Sequence, residues 1–198
     1  AFSRVRQAIQ TVPRFQYSQY YIDYGYKELF IPAGPNGEFL LDKNSLHIWP
    51  RGQFMMIALP NLDGSFTCTL FLPFEGEMAF DDLNNETQVK AYFDQYFPDV
   101  VALMPSLIQD FFKNPTSALV TVRCYPWHHK NSLLLGDAAH AIVPFFGQGM
   151  NCGFEDARIL DELIDIYPDQ NELFQAYSQQ RKENGDAIAQ MALDNFIE

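Results

Sequence analysis

Cysteine is scarce in this chain, and the three that occur, Cys68, Cys124 and Cys152, lie far apart with no C-x-x-C pair among them. A disulfide framework and a thiolate zinc site are excluded, and a reducing, intracellular compartment is expected. No apolar run approaches the roughly 18 residues of a membrane span, and the opening lacks the charged-then-apolar layout of a signal peptide. Basic residues are also few, 13 against 25 acidic ones, for a formal charge of -12. Such a surface repels phosphate backbones, which argues against nucleic acid as a partner. Repeats and low-complexity stretches are missing too, as is an initiator methionine: Ala1-Phe2-Ser3-Arg4-Val5-Arg6 runs straight into a helical pattern, as expected of a chain cut inside a domain. What is present suffices for a core. With 47% hydrophobic residues, 198 positions fit one large domain or one and a half small ones.

Periodicity supplies the elements. Val5, Ile9 and Val12 share one helical face, and residues 15–31 have the rhythm of one or two strands. A turn over residues 32–36 and a corner at Pro50-Arg51-Gly52 precede strands over 53–59 and 66–72, joined by an Asn61-Leu62-Asp63-Gly64 hairpin. Met55, Ile57 and Leu59 fall on one face, as do Thr67, Thr69 and Phe71, so one side of this sheet is apolar. Helices are expected over 86–97, with Val89, Tyr92, Phe93 and Tyr96 inward, and over 99–113, divided or kinked by Pro105. Strands follow over 118–124 and 132–135, then a loop from 138 to 149. A helix over 151–167 should bury Phe154, Leu160, Leu163 and Ile164 and stop at Pro168, and a last helix covers 172–196. The fold class is mixed, α/β or α+β.

The chemistry concentrates after residue 132. Leu133-Leu134-Leu135-Gly136-Asp137-Ala138-Ala139-His140 puts a carboxylate at a strand end, where it can accept hydrogen bonds from sugar or ribityl hydroxyls. Gly147 and Gly149 permit close backbone approach by a flat ligand, and a helix starting near Asn151 directs free N–H groups and its positive end at that place. An anionic ring or a phosphate suits such a site.

Gly136-Asp137 with the loop to Asn151 resembles the second FAD motif of the flavoprotein aromatic hydroxylases, and Ala1 to Arg6 is similar to the tail of that family's D-G-x-x-S-x-V-R motif. The resemblance implies FAD contacts from Gly136, Asp137, Ala138, Gly147, Gln148, Gly149, Met150 and Asn151, with Asp137 on the ribityl chain. The Asp-Gly pair and the N-terminal Gly-x-Gly-x-x-Gly half are absent, so a C-terminal fragment is expected. Its parts would be a remnant of the FAD-binding domain over 1–14, a substrate-binding sheet with helices over 15–125 and the rest of the FAD-binding domain over 126–198.

Residues 46–52, 60–66 and 144–151 are most similar to the branch of that family acting on L-kynurenine. That likeness implies a substrate pocket lined by Leu46, Met55, Ile57, Leu59, Phe71, Pro144 and Phe145, with Asn151 near the amino-acid end and the carboxylate clamp in the missing part. It implies NADPH as co-substrate, O₂, a flavin C4a-hydroperoxide and hydroxylation beside an amino group, with no side chain as strong acid or base. Eukaryotic members imply the outer mitochondrial membrane, facing the cytosol, and a membrane tether C-terminal to Glu198.

Plainer readings stand beside these. Gly147, Gly149 and Gly153 form G-x-G-x-x-x-G with no strand before it, which is not a dinucleotide fingerprint. His128, His129 and His140 lack ligand spacing, which favours structural roles over a metal site. Cys152 has no identifiable general base and reads as packing beside the flavin. Gly136-Asp137 alone is also an ordinary turn pair, and an apolar sheet face is ordinarily core. A non-catalytic ligand- or partner-binding module and a related flavin hydroxylase for another aromatic acid, or a decarboxylase or epoxidase of similar fold, remain the alternatives.

Overall fold

The computed structural model describes residues 1–197. Its elements are α1 (Arg4–Ile9), β1 (Gln16–Ile31), β2 (His47–Arg51), β3 (Phe54–Pro60), β4 (Phe66–Pro73), α2 (Glu86–Tyr96), α3 (Leu107–Lys113) and β5 (Ser117–Tyr125). There follow β6 (His128–His129), β7 (Ser132–Leu133), α4 (Asp137–His140), α5 (Gly149–Ile164) and α6 (Gln170–Ile197). The order of the main sheet is β2-β3-β4-β1-β5, and β6 and β7 form a separate ribbon. Two compact units result, one from residues 1–21 and 120–198, the other from 22–119, so β1 and β5 each run from one unit into the other.

In the 22–119 unit burial alternates along β3 from Phe54 to Leu59 and along β4 from Phe66 to Leu70. Phe54, Met56 and Ala58 of β3 and Cys68, Leu70 and Leu72 of β4 are buried with Val89, Tyr92 and Phe93 of α2 and Phe111 of α3. Met55, Ile57 and Leu59 point the other way, as a two-residue period requires. Asn85 caps α2 by accepting from the Gln88 N–H. Pro105 divides the second predicted helix into a 3-10 turn over Val101–Leu103 and α3. Lys27, only 6% exposed, donates from Nζ to the Phe111 and Asn114 carbonyls at the end of α3, both at 2.8 Å. Burial lowers its pKa.

The other unit has its own core, built on Ile9, Cys124, Trp127, Leu134, Ile159, Leu163 and Tyr177. Several expectations need correction here. In α1 Ile9 is buried as expected, but Val5 is exposed and Arg6 is buried instead, its guanidinium donating to the Ala138 carbonyl at 2.8 Å. The strand before Gly136 is two residues long, and part of the predicted loop folds as α4. α5 begins at Gly149 instead of Asn151, and its inward residues are Cys152, Asp156, Ile159 and Leu163, leaving Phe154 and Ile164 mostly exposed. A buried carboxylate on that stripe shifts the inward face away from the most hydrophobic one. No helix among the described residues is long and apolar enough to cross a membrane.

Candidate functional site

Leu134, buried and bonded through its N–H to the Trp127 carbonyl at 2.6 Å, anchors the chain just before the Gly136-Asp137 turn. Gly136 has φ +52, and a Cβ there would meet only the Gly153 Cα, at 3.9 Å. The dihedral, more than space, therefore demands glycine. The Gly136 carbonyl accepts from the Ala139 and His140 N–H groups at 2.8 and 2.9 Å and so starts α4, while the Asp137 carboxylate stays 69% exposed. The α-amino group of Ala1 lies 3.7 Å from it.

Farther on, Pro144–Phe146 makes a 3-10 turn closed by the Gly147 N–H on the Pro144 carbonyl at 2.9 Å. Gly147, at φ +64, has open space where a Cβ would stand. α5 then opens with Gln148 as cap, and the Cys152 N–H on the Gln148 carbonyl makes the first helical bond. The N–H groups of Gly149, Met150 and Asn151 precede that bond and have no partner in the helix ladder. Asn151 donates from Nδ2 to Gln148 Oε1 at 3.0 Å. The turn is held from α6, where Asn195 Nδ2 donates to the Phe145 carbonyl at 2.6 Å and the Phe196 ring lies 4.7 Å from that of Phe145. All eight positions expected to hold FAD thus lie in this unit, on two helix starts and the turn between them. A pocket of about 640 Å³ between α5 and α6 touches Gln148 and Asn151, and also Cys152, Arg181, Ile188 and Met191.

Behind the Gly136 turn sits a charged cluster. Asp156, fully buried, accepts at Oδ2 from the Gly136 N–H (2.9 Å) and bonds His140 Nε2 (2.6 Å), while its Oδ1 accepts from Arg181 Nε (2.8 Å). Glu155 adds a second ion pair to Arg181 at 3.0 Å. Burial alone would raise the Asp156 pKa, but bonding to His140 and Arg181 and to the Gly136 amide holds it lowered. Burial likewise opposes the charged form of His140, yet the hydrogen bond and charge of Asp156, helped by Cys152, raise its pKa. Ligand atoms of His140, Cys152 and Asp156 lie within 4.8 Å of one another. The Arg181 guanidinium, 3.6 Å from Cys152 Sγ, stands among them, so a cation would meet like charge. Cys152, His140 and Asp156 also mimic a nucleophile triad, but a protonated imidazole cannot take the thiol proton, and its Nδ1 is 3.9 Å from Sγ.

The sheet-borne candidates belong to the other unit. Cross-strand partners share a face, which sets Met55 beside Phe71 and Ile57 beside Thr69, with Ile48 beyond Ile57 and Tyr26 beyond Phe71. On this face Ile48 and Leu59 are about half exposed, and Phe71 is buried. Leu46, 52% exposed, lies just before β2. It is the face opposite the core.

Similarity to known proteins is high across the whole chain. Kynurenine 3-monooxygenase of Flavobacterium psychrophilum is 56% identical over 100% of this chain, that of Dictyostelium discoideum 53% over 100%, and that of Sus scrofa 48% over 100%. Along its whole length the chain is similar to kynurenine 3-monooxygenases. It spans less than half the length of these relatives, 45%, 46% and 42% respectively. Residues 107–192 match the FAD binding domain family. HpxO of Klebsiella pneumoniae complexed with FAD and uric acid superposes with a TM-score of 0.73 at 18% identity, covering 91% of this chain and 46% of that one. Tetrameric 2-methyl-3-hydroxypyridine-5-carboxylic acid oxygenase gives 0.72 at 18%, covering 91% and 48%. At that identity the likeness is one of fold.

For a kynurenine 3-monooxygenase relative, these two turns have features that suit FAD: an exposed carboxylate at Asp137, open space at Gly147 and unspent N–H groups at the start of α5. Sequence reasoning missed Asp156 and Arg181, and it left His140 and Cys152 without partners. The one available signal was the spacing of Asp156, four residues after Cys152 and three before Ile159, which places a carboxylate on an apolar stripe.

Proposed function

We propose that this protein hydroxylates L-kynurenine to 3-hydroxy-L-kynurenine, consuming NADPH and O₂ with FAD as cofactor and releasing NADP⁺ and water. The identity to kynurenine 3-monooxygenases, above 50% over the full chain, carries the reading. When bound, FAD supplies the passage of electrons from NADPH and the activation of oxygen. Asp137 accepts hydrogen bonds from the ribityl hydroxyls. The N–H groups of Gly149, Met150 and Asn151 favour negative charge on the ring edge near them.

Met55, Ile57 and Leu59 present apolar surface to the aromatic substrate and exclude water from it, with Leu46 as a further apolar contact and the buried Phe71 beside Met55 as their backing. An aniline-type ring is already activated toward electrophilic attack, so no side chain of this chain has to act as acid or base.

The test is NADPH oxidation by the full-length protein with FAD, with and without L-kynurenine, alongside product analysis. Substrate-stimulated oxidation with matched 3-hydroxykynurenine is expected. Bound flavin without stimulation would remove the substrate, and stimulation by another aromatic acid would reassign it. Asp137→Ala should weaken FAD binding about 10- to 100-fold, the worth of hydrogen bonds to a charged group.

A further inference from the structure

Charge buried on the inward stripe of a helix is costly, and a fourth apolar residue would have completed the stripe of Cys152, Ile159 and Leu163. α5 instead carries Asp156 there, and both of its carboxylate oxygens are bonded. Oδ2 accepts from the Gly136 N–H and bonds His140 Nε2, and Oδ1 accepts from Arg181 Nε. Gly136 is the residue immediately before Asp137, and His140 is the last of α4. One buried anion thus grips both ends of the helical turn that displays the exposed carboxylate, and α6 grips the anion in turn. Arg181 and His140 supply the compensating positive charge, so the amide of Gly136 bonds a full anion, which makes a stronger acceptor than a neutral carbonyl.

We propose that Asp156 is a positioning residue for the cofactor: by fixing the Gly136 amide and His140 it sets the direction in which Asp137 offers its carboxylate to the hydroxyls of the flavin side chain. This rests on the FAD reading above. Gly136, held at positive φ, can swing Asp137 through a wide arc once its N–H is released. The anchor restricts that arc before the ligand arrives, which saves ordering entropy on binding.

The experiment uses full-length protein, prepared with and without FAD. Asp156→Ala alone takes from Arg181 and His140 their buried anion, leaving Arg181 only the half-exposed Glu155, and is expected to misfold, so the informative variants are Asp156→Asn and the double variant Asp156→Asn/Arg181→Gln, which removes both charges together. Hydrogen exchange across residues 136–140 in the apoprotein reads the anchor without flavin, and FAD affinity with the visible flavin spectrum reads its consequence. The double variant should melt cooperatively, exchange its Gly136 amide about tenfold faster or more, bind FAD about tenfold more weakly and shift the flavin bands, with Asp156→Asn between it and wild type. Unchanged exchange, or faster exchange with unchanged FAD affinity, would reduce Asp156 to packing and overturn the proposal. Wild-type protein that protects the Gly136 amide yet binds no FAD would instead sink the cofactor reading itself, and the positioning role with it.

Discussion

His140 shows how one residue's surroundings become a property that can be measured. It is 3% exposed, its ring lies 5.0 Å from that of Trp127, and a Cβ on Gly185 of α6 would come within 3.3 Å of it. In spite of that burial, Asp156 and Cys152 raise its pKa from the ordinary 6.5 to about 9. A histidine whose folded pKa is raised contributes stability that is fully present below about 6.5 and is lost as pH climbs through about 9. His140→Gln keeps a donor for Asp156 but cannot titrate. Thermal melts of the intact protein between about pH 6 and 9.5 should show wild type losing on the order of 1–3 kcal/mol more than the variant over that window. Parallel melting curves would remove His140 as a charged partner of Asp156. None of this was legible beforehand, because Asp156 is 16 residues from His140 and Arg181 a further 25 along, and only the folding of three helices brings them together. Gly136-Asp137 was legible, since a turn glycine, a carboxylate and the small residues after them are contiguous in the chain.

Among elements, β3 separates fold from site within two neighbouring residues. Met56 is fully buried in the core with α2 and α3, and Ile57 lies on the opposite face in register with Thr69 and Ile48. Met56→Ala should destabilise the protein by about 2–5 kcal/mol, as deletion of a core side chain does. Ile57→Thr, similar in shape but polar, should change stability by less than about 1 kcal/mol, while raising KM for L-kynurenine or the yield of uncoupled H₂O₂. Denaturant midpoints and coupling ratios for both variants decide it, and equal effects of the two on stability would mean that Ile57 belongs to the core. β3 and β4 were readable from their two-residue period, since a strand shows its two faces in the letters themselves. β2 was missed because Pro50 breaks the pattern there. An edge strand tolerates that proline, and β2 is the edge of this sheet, a fact set by pairing with β3 and not by any local signal.

For the whole molecule, the division into units follows from which residues share a core. Every buried member of one core lies between Leu29 and Phe111, inside the 22–119 unit. The other core draws Ile9 from the start of the chain and the rest from Cys124 to Tyr177, so that unit closes only when distant parts of the sequence meet. Loop closure over about a hundred residues costs little more than over fifty, because the entropy rises only with the logarithm of length. The insertion is therefore tolerated, and each core sets its own resistance to opening. Native-state hydrogen exchange should sort protected amides into two groups, one within 22–119 and one from α1, β5, α5 and α6, with distinct opening free energies. Met56→Ala should lower protection across the first group, Val89 to Phe93 of α2 included, and leave α5 and α6 within about twofold of wild type. A uniform loss through both groups would show that they open as one cooperative body, and that the two cores, although separate in membership, are a single unit in energy.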